Sequence, residues 1–222
     1  GGGKGIYLYQ IHFYMEIHKK LNLVSVQREL REREMDVFTP KEFERVFGVA
    51  DTAARQFIAY YTKKHFFSKL RNGLYSLEGQ RPNLYFAANK LYRPSYVSLE
   101  TALFLYGILP ETVYSITSVT SRRTREFEAF GIAFRYVRIK QEAFGGYSPK
   151  REGNCTVLIA DPEKALIDYL YIVSLGKRML NDRLNLRNVD VEKARAYIPL
   201  FGRSNLKAIF EKALALPEPE IR

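Results

Sequence analysis

A chain of 222 residues, 46% hydrophobic and 27% charged, has material for one large or two small domains and is too apolar for a disordered protein. Its one cysteine, Cys155, excludes an intramolecular disulfide and a Cys-rich zinc centre, and the three histidines, His12, His18 and His65, supply little for another metal site. Thirty-five Lys and Arg against 24 Asp and Glu give a net charge of +11, which makes a polyanion the first partner to test, nucleic acid ahead of membrane.

No run approaches the roughly 18 to 20 apolar residues that span a bilayer. The opening Gly1-Gly2-Gly3-Lys4-Gly5 has neither h-region nor cleavage site and reads as a scar or a processed end. A cytoplasmic protein with no membrane partner is the expectation. The turn-rich stretch Glu78-Gly79-Gln80-Arg81-Pro82-Asn83 divides the chain into domains 1–80 and 81–222, both net basic.

From Ile6 to Asp36 neither Pro nor Gly interrupts the chain, and Phe13, Ile17, Leu21 and Val24 fall at helical spacing, with Ser25 placed to cap a second helical piece. Thr39 with Glu42 three residues on is a capping box, Pro40 takes the first helical position, and Phe38 can staple against Phe43. Gly48 is the expected stop, and Asp51 the expected N-cap of a helix from Thr52 to about Lys64. A hairpin from Phe66 to Leu77 with Asn72-Gly73 at its tip completes the order of a winged helix-turn-helix.

Projected at about 100° per residue, Ala54, Phe57, Ile58 and Tyr61 form the packing face of that second helix. The opposite face holds Thr52, Arg55, Gln56, Ala59, Tyr60 and Lys63. Between Thr52 and Leu77 stand Arg55, Lys63, Lys64, Lys69 and Arg71 without one Asp or Glu. Helix residues of this kind reach base edges in the major groove, while the hairpin's Lys69, Arg71 and Asn72 meet phosphates. A solvated basic face on a protein-binding domain is the competing account.

The second half reads as α+β: a helix from Leu84 to Leu91, one capped by Ser98 and stopped at Gly107, a strand from Val113 to Thr120, and strands Arg125–Phe130 and Ile132–Lys140 around Gly131. A short strand, Thr156 to Ala160, precedes an apolar helix opened by Asp161-Pro162-Glu163, and two helices, about 190–197 and 204–216, finish the chain. Arg122, Arg123, Arg125, Arg135, Arg138 and Lys140 make this half's strand pair strongly basic, which suits phosphates or an acidic protein groove, or equally a sheet edge kept soluble by charge.

Three stretches carry a family resemblance: Pro94 to Leu103 (PSYVSLETAL), Tyr114 to Phe127 (YSITSVTSRRTREF) and Ala160 to Asp168 (ADPEKALID). Together with Asn72 to Leu77 (NGLYSL), they resemble the AbiEi family of type IV antitoxins over about residues 37 to 175. The resemblance implies a winged helix-turn-helix that represses its own operon at inverted repeats in double-stranded promoter DNA. It also implies a C-terminal α+β antitoxin-like domain that counteracts a nucleotidyltransferase-like toxin without a stable complex. The segment from Ile6 to Asp36 is longer than that family's pattern and is a candidate for homodimerisation.

No catalytic, cofactor or metal site is legible. Phe144-Gly145-Gly146-Tyr147 lacks the Lys-Ser or Lys-Thr of a phosphate-cradling loop and reads as a turn. No Asp-x-Asp pair suits two-metal chemistry, and no His stands in the second half as a general base. Asp161, Glu163 and Asp168 read as caps and exposed helix carboxylates, and Cys155 as a small core residue. Two alternatives stay open, a stand-alone winged-helix transcription factor with a ligand-sensing or assembly domain, and a nucleic-acid-modifying enzyme with an unrecognised site.

Overall fold

The computed structural model describes residues 21–112, 114–153 and 155–217. The expected helix before Leu21, with Phe13 and Ile17, and position 113 lie outside them. The protein is mixed α+β, and the chain divides into two compact units, Gly1–Pro82 and Asn83–Arg222.

In the first unit, helix α1 (Leu23–Glu32) is capped by Asn22, whose Oδ1 accepts the Val24 N–H at 2.8 Å. That bond meets the open amide where the sequence had suggested Ser25, which lies inside the helix. Val26 and Leu30, four apart, face the core, while Val24 is 73% exposed. Helix α2 (Pro40–Phe47) has the full capping box: Thr39 N–H donates to Glu42 Oε2 at 2.8 Å, and Glu42 N–H to Thr39 Oγ1 at 3.2 Å. The Phe38 and Phe43 rings lie 6.0 Å apart across that entry. Gly48 ends the helix at φ 60°, where a Cβ would be strained.

Helix α3 (Asp51–Lys63) begins one residue earlier than expected. Ala50 holds the cap position, and Asp51 does not cap because its carboxylate is bonded to Arg55 one turn on. Strands β1 (Val37–Phe38), β2 (Phe67–Arg71) and β3 (Leu74–Leu77) form an antiparallel sheet in the order β1-β3-β2. Phe38, Phe43, Phe57, Ile58 and Phe67 pack between helices and sheet with almost no exposed surface. Truncating such an aromatic to Ala costs about 3 to 5 kcal/mol, so this packing fixes where the outer face of α3 sits.

The second unit starts with α4 (Leu84–Leu91), capped by Asn83, whose Oδ1 accepts Phe86 N–H at 2.9 Å. It continues through β4 (Ser95–Val97), α5 (Leu99–Leu105), β5 (Ser115–Thr120), β6 (Arg125–Ala129), β7 (Ile132–Arg138), β8 (Tyr147–Glu152), β9 (Cys155–Ala160), α6 (Pro162–Ser174), α7 (Val191–Tyr197) and α8 (Leu206–Leu214). The six strands form one mixed sheet in the order β6-β7-β5-β4-β9-β8, with β5–β7 and β4–β9 parallel. Strands β6 and β7 turn through Phe130 and Gly131, both at positive φ, which matches the twist of a two-residue hairpin.

Besides β1 of the first unit, two strands of this unit escaped the sequence reading. Three-residue β4 is too short for a period, and β8 carries Pro149 and begins at Tyr147, the last residue of the turn expected at 144–147, with a 3-10 turn standing earlier at Gln141–Ala143. As the sheet's edge strand, β8 tolerates that proline. Ser98 stands before α5 but does not cap it, because Leu99 adopts φ 56° and the Ser98 hydroxyl donates to Asp168. Thr117 from β5 does the capping, its Oγ1 accepting Thr101 N–H at 3.0 Å. Cys155 is half-buried at the start of β9 rather than a core residue.

Candidate nucleic-acid interface

Burying Ala54, Phe57 and Ile58 turns the other side of α3 outward. Thr52, Arg55, Gln56, Ala59, Tyr60, Lys63 and Lys64 are all exposed, as are Lys69 and Asn72 of the hairpin. Tyr60 is 37% exposed, with the Lys64 ammonium 5.9 Å from its ring centroid, so it belongs to the outer face and not to the core. Arg71 is half-buried and bonds the Asn72 carbonyl at 2.8 Å, which ties it to the hairpin turn. His65 follows α3 in the left-handed conformation, its N–H donating to the Thr62 carbonyl at 3.1 Å.

One charge was missed because the acid-free count began at Thr52. Asp51 Oδ2 accepts from Arg55 Nε at 2.7 Å, and this guanidinium holds the Asp51 carboxyl below its ordinary range. Glu44 also acts on Arg55 electrostatically. Arg55 is thus engaged at its Nε, whereas Gln56, Lys63 and Lys69 face solvent. A convex row of cations, an amide and small side chains can approach a groove, with the lysines set for phosphates.

The six basic residues singled out in the second unit are all exposed, but they do not form one patch. Register puts Arg125 opposite Tyr136, on the face that carries α4, and Arg138 shares that face two residues further along β7. Arg135 points the other way and is ion-paired with Glu126 at 3.1 Å. Arg122 donates to the Arg93 carbonyl at 3.2 Å and lies 5.8 Å from the Tyr92 ring centroid, while the Arg123 carbonyl accepts the Tyr92 hydroxyl. Lys140 leaves the strand altogether, its ammonium close to Gly202. Arg122, Arg125 and Arg138 therefore belong to the α4 side, and Arg135 does not.

None of the acidic residues near α6 is the exposed helix carboxylate that the sequence suggests. Asp168 and Lys164, one turn apart, are ion-paired with no exposed side-chain surface. The Tyr96 and Ser98 hydroxyls donate to Asp168 Oδ2 at 3.1 and 2.7 Å, and Lys164 donates to Tyr96 at 2.9 Å. Burial pushes the Asp168 carboxyl up and the Lys164 amine down, each opposed by the attraction between them. The Phe201, Tyr96 and Tyr197 rings surround the ammonium at 5.0 to 6.0 Å. Gly146 passes so close that a Cβ there would stand 2.8 Å from both Lys164 Cγ and the Tyr197 hydroxyl. With no surface open to solvent, this cluster joins β4, α5 and α6 rather than meeting a substrate. Glu163, also buried, pairs with Lys193 at 2.9 Å, and Asp161 accepts from Ser148 at 3.0 Å.

No family model matches the chain, and no curated protein matches it significantly. Among the described residues no helix is long and apolar enough to cross a membrane, and no group of three or more His, Cys, Asp or Glu is placed to hold a metal ion.

Proposed function

We propose that the first unit is a winged helix-turn-helix that binds double-stranded promoter DNA, with α3 as the recognition helix and the β2–β3 hairpin as the wing. The observation that carries this reading is the outer face of α3: Arg55, Gln56, Tyr60 and Lys63 exposed in one helix and Lys64 at its end, with Lys69 and Asn72 exposed on the hairpin. The element order helix, strand, helix, helix, strand, strand and the sheet order β1-β3-β2 support it.

On the resemblance of residues 37–175 to AbiEi antitoxins, the whole protein is read as an autorepressor and antitoxin that counteracts a nucleotidyltransferase-like toxin in the cytoplasm, acting on inverted repeats as a homodimer. The deciding experiment has two arms. Gel shifts with the chain's own promoter, at fixed salt, compare the wild type with a variant in which Arg55, Gln56, Lys63 and Lys69 are replaced by Ala; unchanged binding defeats the recognition-helix assignment. Growth of cells co-expressing the adjacent toxin gene reads the antitoxin role, and absence of rescue by folded protein defeats that part.

A further inference from the structure

Strands β4 and β9 meet at a single parallel pair, Val97 with Ile159, and separate towards their N-terminal ends. Asn89 of α4 fills the upper part of the fork, where its side chain donates to the Leu158 carbonyl and accepts the Leu158 N–H at 3.2 and 2.7 Å. Below it the fork opens into a cleft of about 280 Å³. Phe86, Pro94, Tyr147 and Leu158 give it apolar and aromatic walls. Its polar atoms are few and specific in kind. The Ser95 hydroxyl is buried, with 4% of the residue exposed, and has no hydrogen-bond partner among the described residues. Thr156 is exposed at the opposite wall.

Arg93 supplies the charge. Its Nε donates to the Asn89 carbonyl at 3.1 Å, which fixes the guanidinium at the cleft and leaves the two terminal nitrogens without a hydrogen-bond partner among the described residues. No carboxylate lines the cleft among the described residues. Lys90 sits 5.1 Å from the centroid of the Phe86 ring, and Arg122 reaches the Arg93 carbonyl, so the surroundings are cationic as well. An apolar, partly aromatic recess with one fixed guanidinium and one unanswered buried hydroxyl is built like a site for a small ligand, in which a few polar groups set orientation and the walls supply contact. Its volume of about 280 Å³ lies just below the lower end of such pockets, which run upward from about 300 Å³.

We propose that this cleft binds a small aromatic anion, its ring held between Phe86 and Tyr147 and its carboxylate or phosphate on Arg93 and Ser95. The shared chemistry is a flat ring joined to one anionic group, whether it comes from an aryl carboxylate or from a nucleoside monophosphate. This assignment is independent of the DNA-binding reading, since every residue it uses belongs to the second unit.

The test is calorimetric titration of the full chain with 4-hydroxybenzoate, with AMP, with inorganic phosphate and with neutral benzyl alcohol. Saturable binding of at least one of the first two, tighter than phosphate and benzyl alcohol, is expected, and whichever binds better identifies the source. Arg93→Gln, at an exposed position where folding is not at stake, should weaken that binding by about tenfold to a hundredfold, as loss of a charged hydrogen bond does. Ser95→Ala should weaken it about three- to tenfold by the same reasoning for a neutral bond, with far-ultraviolet circular dichroism unchanged. The proposal is overturned if neither aromatic anion binds at about 1 mM, a concentration that detects even weak sites. It is equally overturned if phosphate alone binds as well, or if Arg93→Gln leaves the affinity unaltered.

Discussion

Arg55 Nε lies 2.7 Å from Asp51 Oδ2 across one turn of α3, so the first cation of the proposed recognition helix is held by a neighbouring carboxylate. Removing the acid frees the guanidinium and takes a negative charge away from the DNA side. Asp51→Asn should therefore tighten binding to DNA of any sequence and steepen its dependence on salt. Helix stability should fall only slightly through loss of an acidic first turn at a solvent-accessible position. Arg55→Ala should act differently, relaxing discrimination at one operator position by about 1 to 3 kcal/mol. Equal effects of Arg55→Ala on operator and on random DNA would contradict a base contact.

Lys69 and Lys63 are exposed beside each other's elements and carry no sequence information in this scheme. Lys69→Ala should weaken binding to every duplex alike and lower the salt slope by about one. Filter binding at three salt concentrations measures both.

The Lys164–Asp168 pair should be worth most when one partner is removed. Asp168→Ala leaves a buried amine without its carboxylate and should destabilise the protein by about 3 to 5 kcal/mol. The double replacement Lys164→Met, Asp168→Leu should recover part of that loss, since no charge is left buried although the Tyr96 and Ser98 hydroxyls lose their acceptor. Urea unfolding of the wild type and the two variants tests this, and a double variant no more stable than Asp168→Ala would mean that the pair does not act as a unit.

Glu163 is buried and Lys193, which pairs with it, is half-exposed. The carboxylate raises the Lys193 amine above its ordinary 10.5, so the stabilisation is complete below that pH and fades as pH rises through the folded value. Lys193→Met should lower the melting temperature at pH 7 and cost less at a pH well above 10.5, as the wild-type amine loses its proton too. Loss of the same size at both pH values would show that Lys193 acts through packing.

Arg122, Arg125 and Arg138 share the α4 side, and Arg135 is paired with Glu126 on the other face. If the basic surface of the second unit serves the antitoxin role, replacing the first three by Ala should reduce rescue from the toxin while Arg135→Ala leaves it intact. Melting temperatures should fall by no more than about 2 to 4 °C per replacement, because an exposed charge contributes about 0 to 1 kcal/mol. Full rescue by the triple variant would leave these arginines as a solvated edge.

What the sequence by itself determined is what acts within one turn of chain. The capping box at Thr39 and Glu42, the stop at Gly48, the buried row Ala54, Phe57 and Ile58 and the hairpin around Gly73 all depend on partners three or four residues away, and all stand where they were expected. The exposed side of α3 follows from that row, since the helix period leaves its other residues no place in the core. Tertiary structure alone decided the rest. Asp168 looks like any helix carboxylate until Tyr96 and Ser98, 72 and 70 positions away, close over it. Ser98 looks like a cap until Thr117 from the neighbouring strand takes that bond. Strand β4 has three residues and no period of its own, and it exists because β5 offers it a ladder. The cleft beside Ser95 arises where β4 and β9 diverge, and divergence belongs to a pair of strands more than fifty residues apart, which no local pattern records.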